Sequence, residues 1–147
     1  MTSHDDSGRP RSELEDLFGE LWHGTRFTVT RGGFRPPIDV VRTEDPPELR
    51  VIADLAGVDP GDVHIVVNER SLVIAGQRSR ALPDRRPSYH LLEIEYGPFE
   101  RRIVLPENVD PDGARAIYER GLLTVVLPVV AAPPRRERIT ITIRTAT

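Results

Sequence analysis

From Phe34 onward the hydrophobic positions of this chain fall into short runs with a period of two, separated by proline, glycine and acidic clusters. Ile38 to Val41 is closed by Glu44-Asp45-Pro46-Pro47, and Leu49, Val51, Ala53 and Leu55 then alternate with Arg50 and Asp54. Val63, Ile65 and Val67 alternate with His64 and Val66 before Asn68-Glu69-Arg70 turns the chain into Ser71 to Gly76. Alternation bounded by turn formers predicts half-buried strands, the last two as an antiparallel pair. Leu92, Ile94 and Tyr96 alternate with Glu93 and Glu95, Gly97-Pro98 reads as a turn, and Phe99, Arg101, Ile103 and Leu105 share one face of the next strand. Leu122 to Leu127, between Gly121 and Pro128, is almost entirely large or β-branched and carries no charge. That pattern predicts a strand buried on both faces, the second of a hairpin turning at Glu119-Arg120-Gly121. Many short strands at close spacing predict an all-β sandwich.

Both ends depart from this period. Ser12 and Glu15 fit a capping box, and Leu14, Leu17, Phe18, Leu21 and Trp22 follow at helical spacing, with Glu13, Glu15, Asp16 and Glu20 off the stripe. Such a helix either docks on its own core or offers a free apolar face. It is too short to be stable alone, and the Gly-rich stretch from Gly24 to Gly33 lets it move, so self-association or partner binding is as well supported as packing. At the other end, prolines keep 129–138 extended, and Ile139-Thr140-Ile141-Thr142-Ile143 is wholly β-branched, its three isoleucines on one side of a strand. Arg135, Arg136, Arg138 and Arg144 bracket this sticky segment, which suits docking onto an open sheet edge or groove. Gln77 to Ser88 is a polar loop longer than a hairpin needs. The expected division is an arm over 1–34, a sandwich over 35–128 and an extension over 129–147.

Composition narrows the function classes. Only 5% of the 147 residues are aromatic, so the core comes from Val, Ile and Leu. A net charge of -3 argues against a nucleic-acid footprint. All 20 cationic residues are Arg, which excludes a Walker-type phosphate loop, and the absence of cysteine excludes disulfides, thiolate metal sites and a Cys nucleophile. His4, His23, His64 and His90 have no paired-ligand spacing, and neither GxGxxG nor GxSxG occurs. The expectation is a non-enzymatic protein without cofactor or metal. A polar start and no apolar window near the length of a membrane span place it in the cytoplasm, away from membranes.

Ala116 to Pro128 resembles the A-x-x-x-n-G-v-L-t-v-x-x-P signature of the small heat shock protein family, with Arg120 where Asn is usual and Leu122 where Val is common. Ala53 to Val58 is similar to its A-x-L-P-G-v segment, with Ala56 in place of Pro. Gly97 to Arg102 resembles its G-x-F-x-R-R strand entry, and Ile139-Thr140-Ile141 its C-terminal I-x-I motif, with Ile141-Thr142-Ile143 as a second register. The resemblance implies an immunoglobulin-like β-sandwich, the α-crystallin domain, with a short N-terminal helical arm and an extended C-terminal tail. It implies an ATP-independent holdase that binds partly unfolded client proteins through the Leu14, Leu17, Phe18, Leu21 and Trp22 stripe. In the bacterial and plant branch, dimers form by a loop swap and assemble into larger homo-oligomers. The residues implied for that dimer are Arg80, Arg85, Arg86, Tyr89 and Glu93 of the loop region with Arg101 and Arg102; whether those two arginines pair within or between subunits stays open. The plug Ile139, Ile141 and Ile143 is implied to enter a groove walled by Val63, Ile65 and Val67 on one side and Phe99, Ile103 and Leu105 on the other. The competing expectations are a CS-type co-chaperone that docks a folded partner, and a shell or storage particle.

Overall fold

A computed structural model describes residues 33–81, 87–131 and 139–146, all within one compact unit. The described residues form nine strands and two 3-10 turns (Pro60–Asp62 and Pro111–Gly113); the strands are β1 (Ile38–Thr43), β2 (Glu48–Asp54), β3 (His64–Asn68), β4 (Ser71–Arg78), β5 (Gly97–Val104), β6 (Arg115–Glu119), β7 (Leu122–Pro128), β8 (Ile139–Ile141) and β9 (Ile143–Thr145). They form a five-stranded sheet in the order β1-β2-β7-β6-β9 and a four-stranded sheet in the order β5-β4-β3-β8.

The period of two explains why these sheets pack. Leu49, Val51 and Ala53 on β2, and Leu123, Val125 and Leu127 on β7, point to one face of the first sheet and are fully buried. Ile65 and Val67 on β3, with Leu72 and Ile74 on β4, do the same in the second, and one continuous cluster joins the two sets. Small residues let elements approach at two places. A side chain on Gly76 would meet the Asp62 carbonyl and the Phe99 ring, and the backbone of Gly121 lies against Ala56.

Three details differ from the sequence expectation. Leu122 is exposed and Thr124 half-buried, so β7 is covered on both faces only from Val125 to Leu127. The cover there is ionic. Val126 pairs with Arg50 of β2 and Arg115 of β6, and both guanidiniums reach the Glu48 carboxylate, at 3.3 Å and 2.8 Å. Secondly, Gln77 and Arg78 belong to β4, paired with Pro98 and Gly97, so those two start β5 instead of turning the chain. Arg78 is held there by stacking 3.5 Å above the Phe34 ring and donating to the Glu95 carbonyl. Thirdly, Leu92, Ile94 and Tyr96 form no strand; a short alternating run needs a partner strand, and among the described residues no strand pairs with it.

Glu48 is only 4% exposed. The hydrogen bond from Arg115, opposed by burial and supported by Arg50, holds its carboxyl below the usual carboxylate range. A carboxylate pKa lower in the folded than in the unfolded chain stabilises the fold above the unfolded value and loses that contribution as pH falls through the folded value. Glu48→Gln is therefore expected to lower the denaturation midpoint at neutral pH, with the gap from wild type narrowing as pH drops below about 4.

The β6–β7 turn carries positive φ at both central residues, Arg120 (52°) and Gly121 (80°), the type I′ geometry that matches sheet twist. Arginine resists this conformation where asparagine accepts it. Arg120→Asn is expected to stabilise the fold by about 0.5–1 kcal/mol, read as a higher denaturant midpoint; its ion pair with Glu119 is exposed and 3.7 Å long, so little is lost with it.

Candidate functional site

The feature that stands out is how the tail treats the sandwich's open side. β3 and β6 would each end a sheet with unpaired backbone groups, a standing invitation to other strands. β8 adds to β3 in antiparallel register, Ile141 opposite Ile65 and Ile139 opposite Val67. Directly opposed residues share a face, so both isoleucines point with Ile65 and Val67 into the interior while Thr140 stays outside. Ile141 is 9% exposed and joins the core cluster; Ile139 and Ile143 are partly buried against it.

After Thr142 the chain crosses to the other sheet. β9 pairs in parallel with β6, Ile143 opposite Ala116 and Arg144 opposite Ile117. The three isoleucines therefore do not line one strand: Ile139-Thr140-Ile141 is the register that closes the β3 edge, while Ile143 closes the β6 edge and Ile141-Thr142-Ile143 does not dock as a unit. A cleft of about 470 Å3 lies beneath the crossing, lined by Pro111, Ala114, Ala116, Ile139, Ile141 and Arg144 among others.

Of the groove residues expected from sequence, Val63, Ile65 and Val67 are buried at or beside the docked tail. Phe99, Ile103 and Leu105 are not brought to it. β3, β4 and β5 form a meander in which β4 separates the other two, so β5 ends the sheet at the side opposite β8. All three side chains are buried in the core instead. The second wall is β6. Its signal was present in the sequence as Ala116, a small inward residue on an otherwise ordinary alternating strand.

The residues expected at a dimer contact scatter more widely. Arg80 stacks over Tyr96 at 4.4 Å and Tyr89 at 5.2 Å, stiffening the start of the segment that follows β4. Glu93 is exposed, and beside it stand Leu91, Leu92 and Ile94, the last two 59% and 63% exposed. Arg102 pairs with Glu100 on its own strand. Arg101 lies on the inward side of β5, where it donates to the Pro36 carbonyl at 2.6 Å; burial, with Arg35 nearby, lowers its pKa. Arg85 and Arg86, and the arm residues Leu14, Leu17, Phe18, Leu21 and Trp22, lie outside the described residues. Among the described residues no cluster of three or more metal-ligating side chains occurs, and no helix is long and apolar enough to cross a membrane.

Comparison with known proteins agrees with this geometry. The sequence profile of the Hsp20/alpha crystallin family matches residues 41–144. The 17.6 kDa class I heat shock protein of Helianthus annuus is 39% identical over 125 residues, covering 80% of this chain and 82% of that protein. Heat shock protein 16.0 from Schizosaccharomyces pombe superposes with a TM-score of 0.61 at 30% identity, over 72% of this chain and 96% of that one. A small heat-shock protein from Xylella fastidiosa, whose structure is described as a distinct high order structure, gives 0.57 at 31% identity over 71% and 94%.

Proposed function

This chain belongs to the Hsp20/alpha crystallin family, the small heat shock chaperones, and from that premise we propose that it is an ATP-independent holdase, capturing partly unfolded proteins in the cytoplasm and keeping them from aggregating. The observation that carries the proposal is the tail: Ile139, Ile141 and Ile143 cover two sheet edges with strands of only three residues each, while the fully buried core belongs to other strands, so the cover can leave without unfolding the sandwich. Burying one such side chain contributes about 1.5–3 kcal/mol, less the ordering of the tether. Each docking is then reversible. Extended apolar segments of unfolded clients compete for the edges the tail leaves, and the arm over 1–34 adds its own apolar stripe. Capture of this kind needs no nucleotide.

In assembly, the same β3 edge takes the tail of a neighbouring subunit, and several weak dockings add through effective concentration. The dimer beneath it forms by exchange of the 87–96 segment. Leu91, Leu92 and Ile94 are exposed without a strand partner, and β1 ends the five-stranded sheet with Val40 and Val41 exposed. The run of one copy finds on β1 of another the ladder it lacks alone. The CS-type adaptor is not favoured, because it leaves both the docked tail and this exposed run without a role. Light scattering from a heat-aggregating client tests the proposal: equimolar subunits without nucleotide should suppress the signal, and an unchanged aggregation curve would refute it.

A further inference from the structure

We infer that Arg78 and Arg80, at and just beyond the end of β4, form a clip that presents the 90–94 run to a second copy of this chain, and that Phe34, where the N-terminal arm joins the sandwich, sets the clip. On the dimer reading above, these three residues position the segment that is exchanged.

Both ends of the segment are held by these arginines. Arg78 donates to the Glu95 carbonyl at 3.3 Å. Arg80 stands 4.4 Å from the Tyr96 ring and 5.2 Å from the Tyr89 ring. Between the pinned ends lie Leu91, Leu92 and Ile94, all exposed. Among the described residues no strand of the same chain pairs with them, so the middle of the segment is left to another chain while its ends stay with the parent. A run fixed at both ends has less freedom to lose on pairing than a slack one.

Phe34 enters through what Arg78 lacks. The Arg78 guanidinium lies 3.5 Å above the Phe34 ring, and its Nε is buried without a hydrogen-bond partner. A buried N–H left open is unfavourable, so the ring face and the Glu95 carbonyl are what keep the guanidinium in place. Phe34 is itself fixed: it is 7% exposed and meets Phe99 edge-on, with ring centres 5.6 Å apart. A side chain on Gly33 would meet the Pro98 carbonyl at 2.8 Å, so the root of the arm lies flush with the start of β5. Without the Phe34 ring the guanidinium swings to solvent and lets go of Glu95. Coupling of this kind is reciprocal: a dimer that steadies Glu95 also steadies the root of the arm.

Sedimentation velocity of the full chain over a dilution series tests this, with the dimer dissociation constant as the readout. Arg78→Lys keeps the charge and loses the planar fork, and Phe34→Leu keeps an apolar side chain and loses the ring face. Each is expected to weaken the dimer roughly ten-fold. The double variant should stay within about two-fold of the weaker single, because both changes break one link. Arg80→Lys releases the other end, so its loss should multiply with that of Arg78→Lys. Neither arginine belongs to the core cluster, so the lysine variants stay folded even where Phe34→Leu does not. An Arg78→Lys dimer as tight as wild type, or losses that multiply between Arg78→Lys and Phe34→Leu, would overturn the inference. Leu92→Glu with Ile94→Glu is the reference: if it splits the dimer and the arginine variants do not, the clip falls and the exchanged segment stands. If the dimer survives that pair, the exchange and the clip fall together.

Discussion

Ile139→Ala combined with Ile141→Ala is expected to reduce the assembly to dimers while the sandwich stays folded. Trimming the buried Ile141 and the half-buried Ile139 removes about 2–4 kcal/mol from each tail contact, roughly a thirty- to thousand-fold weaker docking. The fold survives because the fully buried side chains of β2, β3, β4 and β7 make a core without the tail. Multi-angle light scattering should show the fall in mass, and an unchanged β-sheet circular dichroism spectrum the intact domain. Ile143→Ala alone should shrink the particle less, since that side chain is only half-buried. A double variant that keeps its full mass would mean that subunits are joined through other surfaces.

Leu92→Glu with Ile94→Glu is expected to break the dimer into monomers, the second large effect. Within one chain these side chains are mostly exposed, so the change costs the fold almost nothing. Buried against the β1 edge of a second copy, two carboxylates would each lack a partner, which is strongly unfavourable. Sedimentation velocity should show the smaller species, with thermal unfolding of the isolated domain hardly altered. This pair is a cleaner probe than removing Gln77 to Ser88, because that deletion would take out Gln77 and Arg78, which are the end of β4.

The strands were legible wherever burial on one face imposed a period of two. Leu49-Val51-Ala53 and Ile65-Val67 sit in the core as their spacing predicts. What alternation cannot convey is which neighbour a strand faces, and the two errors of placement share that cause. Phe99, Ile103 and Leu105 were implied as a groove wall by the family resemblance, matched by position along the chain; a meander puts that strand at the far edge of the sheet. Leu92, Ile94 and Tyr96 read as a strand because they alternate, but a period without a partner leaves Leu92 and Ile94 in solvent and Tyr96 half-buried. The Ile139-Thr140-Ile141 plug was visible as well, but a uniform run of β-branched residues gives no sign that Ile143 leaves for the other sheet.

The placement of the tail also bears on how the protein is made. Ribosomes add about 5–20 residues per second, so β6 waits on the order of a few seconds, and β3 several times longer, before the residues that shelter them are polymerised. During that interval the nascent domain exposes two raw edges, and polysomes, which hold many such chains close together, are where mispairing between siblings is most costly.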